Sequence, residues 1–251
     1  MVQELGGAPV YRRADTDESH GPYDTDAPAD HRMKLLSVNV SQLTTVAHNG
    51  RSVTTGIFKA AVTGRVMARR MGLDGDRQAD LSVHGGADKA TYVYSSEHYA
   101  TWAQELGRPD LAMGQFGENL TVEGMLEESV HIGDRFRVGN ALLEVTQPRV
   151  PCYKLGLKMG SARFPKAFLA SHRTGYYMRV LEEGHVGAGD SIERISMGPE
   201  RVTIRQAVHL AFFEQDDIAA LEKVLRIPAL SQDWRGMFQE QLRAVTSGKS
   251  R

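Results

Sequence analysis

Residues 132–155, IGDRFRVGNALLEVTQPRVPCYKL, decide how this chain is read. Residues 135–138 and 142–146 read as two short strands separated by glycine turns. The segment then runs through Pro148, Arg149 and Pro151 to Cys152, the only cysteine in 251 residues. A lone thiol makes no internal disulfide and no multi-cysteine zinc or iron–sulfur cage within one chain. Its open roles are a nucleophile, a redox thiol, a single ligand to a soft metal, or a small buried packing residue. The two prolines fix the backbone on the approach, and Arg149 and Lys154 supply positive charge that favours a thiolate and holds an anion.

Outward from this stretch, the same style repeats. Residues 34–40 alternate as a first strand, and 52–59, 64–67, 90–94, 120–122, 175–182 and 191–195 read as further strands. Residues 72–76 form a turn cluster, and 96–106 read as a helix that starts at Ser96 and carries Tyr99 and Trp102 on its apolar face. Many short strands joined by glycine-rich turns predict a mainly β chain, a barrel or sandwich, and not an alternating βαβ sheet. Near Pro199 the pattern changes to helical spacing, with Ile218, Leu221, Val224 and Leu225, then Trp234, Met237, Phe238 and Leu242. The expected organisation is an extension rich in Asp, Pro, Gly and Ala over 1–32, a β domain over 33–199 and a helical subdomain over 200–251.

Composition narrows the function. A net charge of −1 and the absence of any Lys/Arg run argue against nucleic acid as partner. No apolar run approaches a membrane span and the N-terminus has no secretory core, so a reducing, cytoplasmic setting is expected. Residues 83–89, VHGGADK, bring His84 and Lys89 beside Gly85 and Gly86, whose backbone can approach an oxyanion or phosphate. In 72–80, Asp74, Asp76 and Asp80 lack calcium-loop spacing and read as turn-stabilising residues, while Arg77 and Gln78 can face a ligand. Glu118 and Asn119 follow Gly117 ahead of a strand, where an Asn-capped turn is the plain alternative. Cys152, His84 and Asn119 can be assembled into a cysteine-hydrolase triad, although no nucleophile elbow supports it.

In order, 72–102 (GLDGDRQADLSVHGGADKATYVYSSEHYATW), 114–124 (GQFGENLTVEG), 132–139 (IGDRFRVG), 147–155 (QPRVPCYKL) and 186–192 (VGAGDSI) resemble the MOSC domain, in its YiiM-like branch of small bacterial proteins. The resemblance spans residues 33–245. It implies a β-barrel of mixed, mostly antiparallel strands with peripheral helices and a three-helix C-terminal subdomain. It also implies a molybdenum cofactor, a pterin dithiolene with a phosphate tail, with Cys152 as the protein ligand to molybdenum. His84, Gly85, Gly86, Asp88, Lys89, Asn119 and Arg149 are implied as cofactor-binding residues, with His84 and Glu118 as candidate proton donors. The implied reaction reduces N-hydroxylated compounds (hydroxylaminopurine-type bases, amidoximes, hydroxylamines) to the amine and water, consuming two electrons and two protons. No dinucleotide fingerprint and no cluster-forming cysteine set is present, so electrons are expected from a separate flavin reductase. Two other readings stay open: a sulfur- or molybdenum-cofactor carrier working through Cys152, and a non-catalytic nucleotide- or phosphate-binding module. The apolar face of the helical subdomain can pack on the barrel or on a second copy in a homodimer.

Overall fold

A computed structural model describes residues 33–48, 50–79 and 85–248. The predicted 1–32 extension and His84 lie outside the described residues. The strands are β1 Lys34–Val40, β2 Thr44–His48, β3 Arg51–Thr55, β4 Ala60–Ala61, β5 Arg65–Arg69, β6 Gly72–Leu73, β7 Thr91–Ser95, β8 Leu120–Glu123, β9 Arg135–Val138, β10 Ala141–Pro148, β11 Tyr176–Glu182, β12 Gly184–Gly187 and β13 Ile192–Ser196. The helices are α1 Glu97–Leu106, α2 Tyr153–Met159, α3 Phe164–Ala170, α4 Ile204–Phe212, α5 Ile218–Leu225 and α6 Gln232–Thr246.

Seven of the expected strands, joined by β4, form an eight-stranded sheet in the order β13-β9-β10-β11-β7-β8-β1-β4. All its pairs are antiparallel except β7 with β8. β12, β5 and β6 form a second, three-stranded sheet, and β2–β3 a separate hairpin. β11 alternates buried and partly buried residues, as a strand with one packed face must. β7 is buried along its whole length, in keeping with its place inside the sheet.

The closed barrel implied by the resemblance is corrected by this topology. β1 pairs with β8 on one edge, and its other edge is divided. Asn39 and Val40 pair with β4, leaving only the start of β1 for the segment before β13. There an isolated bridge joins Lys34 and Ser191. Three backbone bonds support it, Leu35 N to Asp190 O at 2.9 Å, Gly189 N to Leu35 O at 2.7 Å and Ile192 N to Met33 O at 2.9 Å. The sheet ends therefore touch without a continuous ladder, and the architecture is a large, mostly antiparallel sheet with helices around it.

Two apolar clusters hold the fold. One joins sheet residues such as Leu35, Val122, Phe136 and Leu143 to Ile204, Leu221, Val224, Trp234 and Phe238 of the C-terminal helices. The apolar face of those helices thus packs on the sheet of the same chain. The starts of α5 and α6 are capped by side chains, Asp217 accepting from Ala220 N and Ser231 from Trp234 N. The second cluster is aromatic, with Tyr92, Tyr94, Trp102, Phe116, Phe164 and Phe168 around Leu155. The candidate site lies beside this aromatic cluster.

Candidate functional site

β10 ends at Pro148, and Arg149 N extends its ladder by one bond to Gly175 O (3.1 Å). The chain then turns through Pro151, and Cys152, in extended conformation, stands at the N-cap of α2. No strong cap residue or unbroken apolar period announces α2, and Gly156 lies inside it; it forms because Leu155 and Met159 enter the aromatic cluster. Pro165 stands in the first turn of α3, where proline is tolerated.

Cys152 and Arg149 line one cavity together with Lys154 and Val150. Thr55 at the end of β3 and Gly56, Ile57 and Lys59 after it also line it. Arg77 and Gln78 line it as well, as the sequence suggested, and Ala79, Tyr92, Tyr177, Gly117 and Asn119 complete the lining. Gly56 is required there, since a Cβ would meet Arg77 O at 2.0 Å.

Arg149 is the unusual residue. It is 5% exposed. Its guanidinium carbon lies 5.1 Å from the Tyr92 ring centroid and 5.3 Å from that of Phe168. Its Nη1 is buried with no hydrogen-bond partner. Gln78 Oε1 is a second buried atom without a partner in this lining. A buried cationic donor and a buried acceptor left unpaired are costly, and both are resolved by a ligand that brings an anion and a donor to the same cavity.

Asn119 acts through other residues. Its Nδ2 donates to Asp76 Oδ2 (2.9 Å) and Asn39 O (3.3 Å), and its Oδ1 accepts from Tyr92 N (3.1 Å). This amide is committed to the wall, so it is not placed to orient a histidine in a hydrolase triad. Asp76 also accepts from Ser41 N (2.8 Å) and from Lys59 Nζ (2.5 and 2.6 Å). The importance of Lys59 was not legible locally, because its partner lies across a turn in another strand pair.

Glu118 is fully buried and is not among the cavity-lining residues. Its carboxylate accepts from Gly114 N (2.8 Å), Phe116 N (3.0 Å), Thr121 Oγ1 (3.0 Å) and the Tyr99 hydroxyl. Burial, then the Glu118 charge, pushes the Tyr99 phenol well above its ordinary range. Glu118 therefore pins the 114–121 turn instead of facing a substrate.

The Gly-Gly segment also falls outside the lining. Gly86 uses a φ of 94° ahead of a short 3-10 turn over Ala87–Lys89. Asp88 pairs with Arg179 at 2.9 Å, and Lys89 reaches Asp233 of α6 at 2.6 Å. Asp88 is thus tied to β11 and Lys89 to α6. Among the described residues no group of three or more His, Cys, Asp or Glu is arranged to hold a metal ion. No described helix is long and apolar enough to cross a membrane.

Behind the wall, Lys158 Nζ donates to Ile57 O (3.0 Å) and Gly114 O (2.5 Å). Burial lowers its pKa to about 8, against the pull of Glu118. A neutral amine has two N–H donors for those two carbonyls. Between about pH 8 and 10.5 the unfolded chain binds this proton and the folded one does not, so stability rises with pH through that window. Relative to Lys158→Met, the wild type should gain on the order of 2–3 kcal/mol over it. Urea unfolding of both proteins at either end checks this; a flat difference contradicts it.

The comparisons agree with this architecture. The MOSC domain model matches residues 80–193. The YiiM-like, 3-alpha helix domain model matches residues 202–244. The Bacillus subtilis (strain 168) protein "Uncharacterized protein YflK" is 41% identical over 210 residues, covering 84% of this chain and 95% of that protein. "Protein YiiM" of Escherichia coli (strain K12) is 35% identical over 191 residues, covering 74% and 84%. A Gibberella moniliformis (strain M3125 / FGSC 7600) protein named "Reductase" is 37% identical over 169 residues, which are 66% of this chain and 30% of that protein. The crystal structure of YiiM from Geobacillus stearothermophilus superimposes with a TM-score of 0.72 at 36% identity, covering 84% of this chain and 99% of that one. The chain therefore belongs to the MOSC domain family and, within it, to the YiiM-like group that carries a C-terminal three-helix domain.

Proposed function

We propose that this chain is a molybdenum cofactor-dependent reductase of N-hydroxylated compounds, with Cys152 as the protein ligand to molybdenum. The observation that carries the reading is the unpaired, buried Nη1 of Arg149 in the same cavity lining as the chain's lone thiol. A pterin dithiolene with a phosphate tail supplies anionic groups for Arg149 and ring N–H donors for Gln78 Oε1, and a thiolate is a soft ligand suited to molybdenum. When bound, the cofactor would supply two-electron redox chemistry. The protein's own residues hold it, orient the substrate against it and manage protons. Two electrons come from a separate flavin reductase, and a reducing, cytoplasmic setting keeps the thiol available. The relative named "Reductase" is in keeping with this class of activity.

The test is molybdenum and pterin content after expression in a host that makes the cofactor, for wild type beside Cys152→Ser. Near-stoichiometric molybdenum is expected in the wild type, with at least a tenfold loss in the variant. Turnover of an N-hydroxylated base with a flavin reductase should track the metal. No molybdenum and no pterin in either protein overturns the reading. Cyanide-labile sulfur on Cys152 without molybdenum would point instead to a sulfur carrier.

A further inference from the structure

We propose that Lys59, clamped by Asp76 at the cavity wall, donates one of the two protons that the reduction consumes. The proposal rests on the reductase reading above. The net change breaks the N–O bond of R–NHOH. Two electrons enter from the flavin reductase, one proton is added at nitrogen and one at oxygen, and R–NH2 and water leave. Lys59 gives one of these protons as ammonium, becomes the amine, and is reprotonated from solvent.

Lys59 and Arg149 line the same cavity, but their surroundings assign them different work. Arg149 keeps an unpaired donor, so its charge is open to an anion. Lys59 is held to both oxygens of Asp76, and the two side chains are 7% and 3% exposed. That pairing cancels its charge and makes it a poor anchor for a phosphate. It leaves an ammonium with three N–H donors, two of them on Asp76. The third has no partner among the described residues.

The clamp is rigid. Asp76 is fixed by Ser41 N and Asn119 Nδ2, and Asn119 is fixed by Tyr92 N and Asn39 O. After the proton leaves, the two donors from Ser41 and Asn119 remain to stabilise the Asp76 carboxylate. The charged groups that bear on Lys59 are Asp76, Glu118 and Lys158. Burial lowers its pKa from 10.5, while Asp76 and Glu118 oppose the shift. Its ammonium is then easier to deprotonate than that of an exposed lysine.

The alternatives are placed less well. The Glu118 carboxylate is taken by its four donors away from the cavity. Lys158 donates to two carbonyls behind the wall. Arg77 lines the cavity, but a guanidinium side chain does not act as a proton donor in proteins.

The experiment compares wild type, Lys59→Arg and Lys59→Met, each full length and loaded in a cofactor-producing host. Arginine keeps the charge and the Asp76 pairing but cannot release a proton. Rates with an N-hydroxylated base and a flavin reductase are expressed per bound molybdenum, which separates loading from turnover. We expect kcat to fall roughly 100-fold in both variants, the usual weight of a general acid, with loss of the alkaline limb of the wild-type pH profile. A Lys59→Arg protein within about threefold of wild type per molybdenum overturns the proposal and leaves Lys59 a structural cation. A molybdenum-loaded wild type without turnover overturns the reductase reading and this role with it. Independently of activity, NMR titration of the lysine Nζ signals in cofactor-free protein, assigned with Lys59→Arg, should place Lys59 below 10.5. A value at or above 10.5 overturns the proposal even if the variants are slow.

Discussion

Glu118→Ala should lower the stability of the chain by about 4 kcal/mol, a large fraction of what a domain of this kind has to lose. The loss comes from what is left behind. Four donors converge on one buried carboxylate: the Tyr99 hydroxyl from α1, the Thr121 hydroxyl from β8, and the backbone N–H groups of Gly114 and Phe116. Alanine leaves all four without an acceptor in a region sealed by Phe116 and Trp102, at about 1–3 kcal/mol for each that stays dry. Glu118→Gln should cost less, about 1–2 kcal/mol, because one oxygen still serves three donors and only Phe116 N meets an amide donor. Urea midpoints for the two variants and for Tyr99→Phe give the comparison. An alanine variant as stable as wild type would mean that water enters the turn and takes over the carboxylate's bonds.

Arg149→Met should separate stability from ligand retention. The variant is expected to unfold at the same urea concentration as wild type or a higher one. It removes a buried charge with an orphaned nitrogen and keeps apolar contact with Tyr92 and Phe168; the lost ring–cation contact, about 1 kcal/mol, offsets part of the gain. Its retained molybdenum and pterin should fall at least 100-fold when the loaded protein is passed over a desalting column, because a desolvated charge-assisted bond to an anion is lost. A destabilised variant with full cofactor would show that Arg149 is a packing cation, and would remove the observation on which the functional reading stands. A stable variant without cofactor is the expected pair of results.

Parts of this site were open to reading in the primary structure, and the reasons differ by residue. Cys152 was legible because a lone thiol between cationic neighbours carries its chemistry locally. The strands around 135–138 and 142–146 were legible because alternation and glycine turns are local properties. The helix after Cys152 was not, because Gly156 and the missing cap hide it and only its burial against the aromatic cluster makes it form. The Gly-Gly segment looked like an anion cradle by composition. Tertiary contacts place Asp88 on Arg179 and Lys89 on Asp233, beside the C-terminal helices.

The order of motifs by itself determined the family, most of the sheet's strands and the helical C-terminal segment, since each is written in residue type and short-range spacing. Tertiary structure alone decided that the sheet stays open, because the free edge of β1 is divided between β4 and the segment before β13. It alone brought Lys59 to Asp76, 17 residues on, and Asp76 to Asn119, 43 residues further. It also left Arg149 buried with an unpaired nitrogen. Such pairings depend on strand register and on which groups a fold withdraws from water, and no local pattern of residues encodes either one.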